Sequence, residues 1–219
     1  MAPEAPDGRA GGGASSLGDL AMRALTRTLQ VVLLGLVAYT VVLGDAAQFA
    51  NVSVMLAIAF VPDAVRVGWG VPRLPFVAFL LAAAPFLHAV GGLGPYETVP
   101  AFDQVAHAVS AALVAGLGYA AVGAIDADYD DVTVPPKLRA AFVVIFATAF
   151  GVAWEILEFG TGLVATVAGG EPFLAQYGPS DVVLDLLFNA VAALLVALWG
   201  TTYFEGLRRL ARRRAAEDA

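Results

Sequence analysis

The stretch VAHAVSAALVAGLGYAAVGAI, residues 105–125, holds one side chain that titrates near neutral pH, His107. It is about six helical turns long. A surface helix of a soluble domain carries a polar face; this stretch has none. About 20 apolar residues are what a helix needs to cross a bilayer. Four further stretches have the same character, at 26–43, 74–90, 138–159 and 182–204. The whole chain is 59% hydrophobic and 14% charged, against roughly 45–50% and 25% for a soluble domain. A soluble fold is excluded on this count. There is no cysteine, so a disulfide framework and a thiolate metal site are excluded as well.

A sixth stretch, 46–61, is shorter and contains Gln48, Asn51 and Ser53. Hydropathy does not make it a span, but charge placement does. Loops on the cytoplasmic side are enriched in Lys and Arg near span ends. With six spans and the N-terminus inside, Arg9, Arg23, Arg27, Arg66, Arg73, Lys137 and Arg139 all fall inside. So do the arginines at 208, 209, 212, 213 and 214, which completes the twelve basic residues. Without a crossing at 46–61, Arg66 and Arg73 change sides. The expectation is an all-α membrane protein, a bundle of six transmembrane helices with N and C termini cytoplasmic. A flexible cytoplasmic tail at 1–25, a transmembrane domain at 26–205 and a basic cytoplasmic tail at 206–219 complete the plan.

The first 16 residues are rich in Pro, Gly and Ala and read as disordered. The apolar run after Arg23 and Arg27 reads as a retained span rather than a cleaved signal. Residues 161–178 are partly apolar and glycine-rich, and are expected to lie as an interfacial or re-entrant piece on the outer face. Asp126, Asp128, Asp130 and Asp131 read as a solvated cytoplasmic loop. Eleven Arg against one Lys, together with the acidic net charge of −7, suggest a salt-loving archaeal source.

On this map the outer half holds Asp45, Glu97, Asp103, Glu155, Glu158, Glu171, Asp181 and Asp185, with both histidines, His88 and His107. It holds no Lys and no Arg. Asp103 and His107 stand at i, i+4; Glu155 and Glu158 at i, i+3; Asp181, Asp185 and Asn189 at successive i, i+4 steps. Such pairs share one helix face. Four helices therefore bring polar groups to one level of the membrane. Asp103 and Asp181 also suit helix caps, and His88 suits the interface. His107, Glu155, Glu158, Asp185 and Asn189 lie inside apolar helices, where an ionisable or polar group marks a functional site. Crowded carboxylates without a cationic partner need a bound cation, shared protons or water.

A mixed set of imidazole and carboxylate suits Zn²⁺, Mn²⁺ or Fe²⁺, and an all-oxygen subset suits Mg²⁺ or Ca²⁺. The candidate metal ligands are His107, Asp103, Asp185, Asp181 and His88, with Asn189 and Tyr96 in support. The two Glu-x-x-His motifs of di-iron bundles are absent.

The series Asp103-Gln-Val-Ala-His107, Trp154-Glu155-Ile-Leu-Glu158 and Asp181-Val-Val-Leu-Asp185-Leu-Leu-Phe-Asn189 resembles the YjdF-like family of multi-pass membrane proteins. The upstream LHAVGGLGPYETVP, residues 87–100, resembles that family too, with His88 and Tyr96 at matching places. A more distant resemblance is to VanZ-like proteins. The resemblance covers about residues 50–200 and implies fold and site, not a reaction. That family usually follows its first Asp with Lys or Arg, whereas this chain has Gln104, which leaves the site more acidic.

Two functions fit these residues. One is a membrane enzyme that binds a divalent metal and acts on a lipid-linked or envelope substrate, with Glu155 or Glu158 as general base. The other is a cation or proton binding or transport protein that uses the same carboxylates. The topology has a direct test. Single cysteines at Gly94 and Asp128 are exposed to a membrane-impermeant maleimide added from outside, and Gly94→Cys is expected to react while Asp128→Cys does not. Labelling of Asp128→Cys in intact cells would overturn the six-span arrangement.

Overall fold

The computed structural model describes residues 17–70, 74–128, 134–174 and 176–199, the side chains of residues 127 and 128 excepted. The tail expected at 206–219 and residues 1–16 of the tail expected at 1–25 lie outside the described residues, as do Arg73, Asp130, Asp131 and the C-terminal arginines; residues 17–25, expected to be flexible, are instead the first turns of the first helix. The described chain is all-helical: α1 (Leu17–Leu43), α2 (Ala46–Ala59), α3 (Val61–Trp69), α4 (Pro75–Gly92), α5 (Pro95–Thr98), α6 (Phe102–Asp128), α7 (Pro136–Ala168) and α8 (Pro179–Trp199). Five of these, α1, α4, α6, α7 and α8, are long and apolar enough to cross a membrane. Their outward residues fit hydrocarbon: Ile145, Ile156 and Val183 are each more than 60% exposed.

The stretch expected to span at 46–61 is α2, and it does not end the crossing alone. α2 and α3 together are long and apolar enough for one crossing, bent by 44° at Phe60. The cause is Pro62 in the first turn of α3. Proline has no N–H and its ring clashes with the carbonyl four residues back, so α2 closes at Phe60, whose N–H reaches Leu56 O and Ala57 O. Asp45 caps the other end of α2 by accepting the Gln48 N–H at 2.9 Å.

The helices fall into two sets. α1, α2 and α4 pack together around Leu33, Val52, Met55, Ala82 and Ala89. α6, α7 and α8 pack together, and α4 joins them through α6, with Val77, Leu80, Leu113, Tyr119, Val143 and Ala193 in one core. A cleft lined by α2, α4, α6, α7 and Asn189 of α8 lies between the two sets.

Three further sequence expectations change. α7 does not stop at 159; it continues to Ala168 and makes 33 residues in all, about 50 Å long. Gly160 and Gly162 weaken a helix without breaking it. The helix ends at Gly169, whose φ of 72° only glycine adopts at low cost. Residues 161–168 are therefore the last turns of α7 rather than a separate re-entrant piece. Asp126 is not a solvated loop residue. It belongs to the last turns of α6, is 11% exposed at its side chain, and pairs with Arg139. Asp103 and Asp181 both lie inside a first helical turn rather than at the cap position, since their helices start at Phe102 and Pro179.

Arg27 and Arg139 mark one end of the bundle. Arg27 bridges Asp63 at 3.0 Å, and Gln30 donates to Ala59 O at 2.8 Å and to Asp63 Oδ2 at 3.1 Å. Gln30 is 2% exposed, so its amide replaces water for these groups. Gln30→Leu is expected to leave the Ala59 carbonyl without its partner, at a cost of about 1–3 kcal/mol. Urea or thermal unfolding of the purified protein measures it, and an unchanged midpoint would deny Gln30 this role.

Candidate metal centre

The opposite end gathers the acids. α4 arrives there with His88, α6 leaves with Asp103 and His107, α7 arrives with Glu155 and Glu158, and α8 leaves with Asp185 and Asn189. All of these are buried, Asp185 to 1% exposure, His107 and Asn189 to 3%, Glu155 and Glu158 to 6%. Asp181 is half-buried at the rim, and its Oδ2 accepts the Tyr177 N–H at 3.2 Å.

His107 is the centre of the cluster. Its Nε2 lies 3.5 Å from Asp103 Oδ1 and 4.0 Å from Asp185 Oδ2. Its Nδ1 lies 3.9 Å from Glu155 Oε1 on the other side of the ring. The i, i+4 spacing of Asp103 and His107 supplies the first of these contacts from one helix; the others need α7 and α8 packed against α6. Asp185 is further fixed by Gln104, whose Nε2 donates to Asp185 Oδ1 at 3.2 Å.

Six buried atoms at this end have no hydrogen-bond partner: His107 Nε2, Asp185 Oδ2 and both Glu155 carboxylate oxygens in the cluster, with Gln48 Oε1 and Asn51 Oδ1 beside it. An unsatisfied buried polar atom costs about 1–3 kcal/mol, and more when charged. Among the described residues, the arginine ion pairs lie at the far end, Arg27 with Asp63 and Arg139 with Asp126. Three overlapping groups could hold a metal ion: His88, Asp103 and His107; His107, Glu155 and Glu158; and Asp103, Asp181 and Asp185. In each, the ligand atoms lie within 4.8 Å of one another. Ligands about 2.0–2.2 Å from a zinc-like ion stand roughly 3–4 Å apart, so the separations around His107 Nε2 fit.

His88 and Glu158 are already engaged. The Ser110 hydroxyl donates to Ala106 O at 2.9 Å, so it accepts from His88 Nε2 at 3.2 Å. That leaves His88 Nδ1 to accept from the Tyr96 hydroxyl at 2.6 Å. Burial, followed by the charges of Asp103 and Glu158, holds the Tyr96 phenol above its ordinary range, which keeps it a donor. The His88 ring packs against His107 at 5.3 Å and against Trp154 at 5.1 Å. Glu158 Oε1 accepts the Trp154 indole N–H at 2.7 Å. Asn189 lies one turn below Asp185 and packs onto Gly151, where a Cβ would come within 2.3 Å of its Nδ2.

The loop after α7 covers this end. Thr161 Oγ1, which donates to Glu158 O at 2.9 Å, also lies 3.3 Å from Leu174 O, and Gln176 Nε2 reaches Glu155 O at 3.4 Å. Leu174 is buried against the α1–α2–α4 set, so the loop ties the two halves together above the cluster. Gln48 and Asn51, which weaken the hydropathy of α2, sit here as well. Gln48 Nε2 donates to Gly92 O at 2.6 Å, and both residues line a chamber of about 20 Å³ with His88, Tyr96, Trp154 and Glu158.

Sequence reasoning passed over Ser110, Trp154 and Gln176 as site residues. Ser110 stands one turn after His107 in an otherwise apolar helix, which is a usable signal. Gln176 gives none, because its contact exists only after the loop folds back.

Buried titratable groups at one end of a bundle of long apolar helices define a multi-pass membrane protein with an internal polar site. The chain belongs to the family described as Predicted membrane protein (DUF2238), whose profile matches residues 24–206. No curated protein and no solved structure matches it.

Gly91 decides whether Tyr96 can reach His88. A Cβ on Gly91 would lie 2.2–2.7 Å from three atoms of the Tyr96 ring, and a ring cannot yield as a flexible chain end does. Gly91→Ala is expected to expel the ring and destabilise the protein by about 1–3 kcal/mol, with a smaller additional loss when combined with Tyr96→Phe. Fully additive losses in the double variant would show that the two residues do not act on one contact.

Proposed function

We propose that this protein binds one divalent transition-metal ion through His107 Nε2, Asp103 and Asp185, with Asp181 at the rim. The observation that carries this reading is the convergence of buried, unpartnered His107 Nε2 and Asp185 Oδ2 beside Asp103. A donor set of imidazole and carboxylate suits Zn²⁺, Mn²⁺ or Fe²⁺. The opposite ring nitrogen supports it. A metal-bound His commonly donates its second N–H to a carboxylate, which fixes the ring and raises its basicity, and Glu155 stands on that side at 3.9 Å. His88, with both nitrogens hydrogen-bonded, orients His107 rather than serving as a ligand.

We read the bent pair α2 and α3 as one span. Six passes then put both termini on the cytoplasmic side and the metal site on the outer side. The resemblance to YjdF-like and, more distantly, VanZ-like proteins rests on the residues that assemble here. In the reaction we favour, the substrate is lipid-linked or part of the envelope, and the ion supplies Lewis acidity. Glu155 is the proton acceptor and Glu158 the group held aside by Trp154.

Metal content of the purified protein tests the proposal. Elemental analysis is expected to give about one transition metal per chain, lost in Asp185→Asn and His107→Ala. Glu155→Gln should keep the metal with an affinity about 10–100-fold lower, as expected for loss of a carboxylate partner behind the ligand. A chelator should lower the thermal midpoint of the wild type and leave Asp185→Asn unmoved. Metal-free protein in every sample, with the midpoint indifferent to chelation, would refute the site.

A further inference from the structure

The cleft between the two helix sets runs down from this cluster into the hydrocarbon region as a cavity of about 430 Å³. That is within the usual range of small-molecule sites, roughly 300–1,000 Å³. Along α6 its wall reaches from His107 to Leu117, about 15 Å. Its polar lining is confined to the top: His88, His107, Ser110 and Asn189. Below them the wall is apolar. α4 contributes Pro85, whose missing N–H leaves the Leu81 carbonyl without its helical partner, and both residues line the space. The mouth is lateral. Leu117, Phe150 and Leu157 line the cavity and are 41%, 53% and 56% exposed on a face that meets lipid.

A water-filled channel would carry polar groups along its length, and this cavity carries them at one end. A hydrocarbon chain matches the lower part and would enter sideways from the bilayer. The head of the same molecule would then lie beside His107. That head meets a cluster with several carboxylates and, among the described residues, no Lys or Arg ion pair. Only oxygens brought in on a metal ion, or bridged by one, are welcome there. A hard divalent ion shared between protein carboxylates and a phosphate meets this requirement.

We infer that the cavity holds the hydrocarbon chain of a lipid phosphate whose head binds the metal at His107, Asp103 and Asp185. This deepens the metal-centre reading and rests on it. Trp154 lines the cavity and reports on it. In a Trp69→Phe/Trp199→Phe background, Trp154 is the remaining tryptophan. The protein, loaded with metal, is placed in nanodiscs of unlabelled phosphatidylcholine with a small fraction of phosphatidic acid brominated in its acyl chains. Bromine quenches indole fluorescence on contact. Brominated phosphatidic acid is expected to quench Trp154 at least twofold more than the same fraction of brominated phosphatidylcholine. The excess should vanish with a chelator and in Asp185→Asn. Ala84→Phe/Ala111→Leu, which fills the space, should remove the excess while keeping the metal.

Equal quenching by the two lipids, with the metal bound, would overturn the inference and leave the metal site standing. So would quenching by neither. Absence of metal from the loaded protein would sink both. The comparison of the two lipids needs no cavity variant, so it decides the matter even where the filled protein fails to fold.

Discussion

Carboxyl groups buried inside a membrane with no Lys or Arg ion pair among the described residues are the constraint on which the rest of this structure depends. Asp103, Glu155, Glu158 and Asp185 are buried around one imidazole at the end of a bundle whose arginine pairs lie at the other end. A charged side chain within a bilayer costs on the order of 2.5–3.5 kcal/mol even on insertion scales. Four such groups within a few ångström raise the cost further through mutual repulsion. The helices that carry them cannot be held together by the cluster. They are held by the apolar contacts below it, Leu80 with Leu113, Val143 and Ala193, which form a core away from the charges. The fold thus separates the region that stabilises from the region where polar groups stand unpartnered.

The two helix sets make that separation workable. α6 carries Asp103 and His107 and touches both sets, so the centre of the cluster rides on the helix least free to move. α7 supplies Glu155 and Glu158 from across the cleft, and Leu174 in the loop after α7 anchors into the opposite set. The cleft stays open toward lipid below and is closed above by Trp154, Leu174 and the Tyr96–His88 pair. Closure there removes water from the charged groups, which strengthens every electrostatic interaction among them.

Much of this was legible in the sequence because the bilayer leaves few choices. Apolar length fixes the spans, and the i, i+3 and i, i+4 spacings of Glu155 with Glu158 and Asp103 with His107 fix the shared faces. What escaped was of a different kind. The end of α7 was read from hydropathy, but Gly160 and Gly162 did not stop it; only the left-handed Gly169 did. Asp126 was read as solvated because its neighbours are acidic, yet Arg139 from the next helix packs on it. Gln48 and Asn51 count against α2 as a span, although Gln48 bonds α2 to Gly92 O at the end of α4 and Asn51 packs beside Gly92. The end of α7 rests on one local glycine conformation; the other two depend on a partner on another helix, which local pattern does not encode.

The two glutamates of α7 show how far environment, rather than residue type, divides roles. They stand one turn apart, are equally buried, and face the same cluster. Glu158 is held by the Trp154 indole at 2.7 Å, and Trp154 in turn packs on His88; moving that carboxylate would disturb the whole aromatic roof. Glu155 has no partner for either oxygen. A carboxylate whose oxygens have no hydrogen-bond partner is the freer of the two to turn. Glu155 is therefore the carboxylate left free beside His107, whose Nδ1 stands 3.9 Å from its Oε1. Glu158 keeps the frame in which it stands.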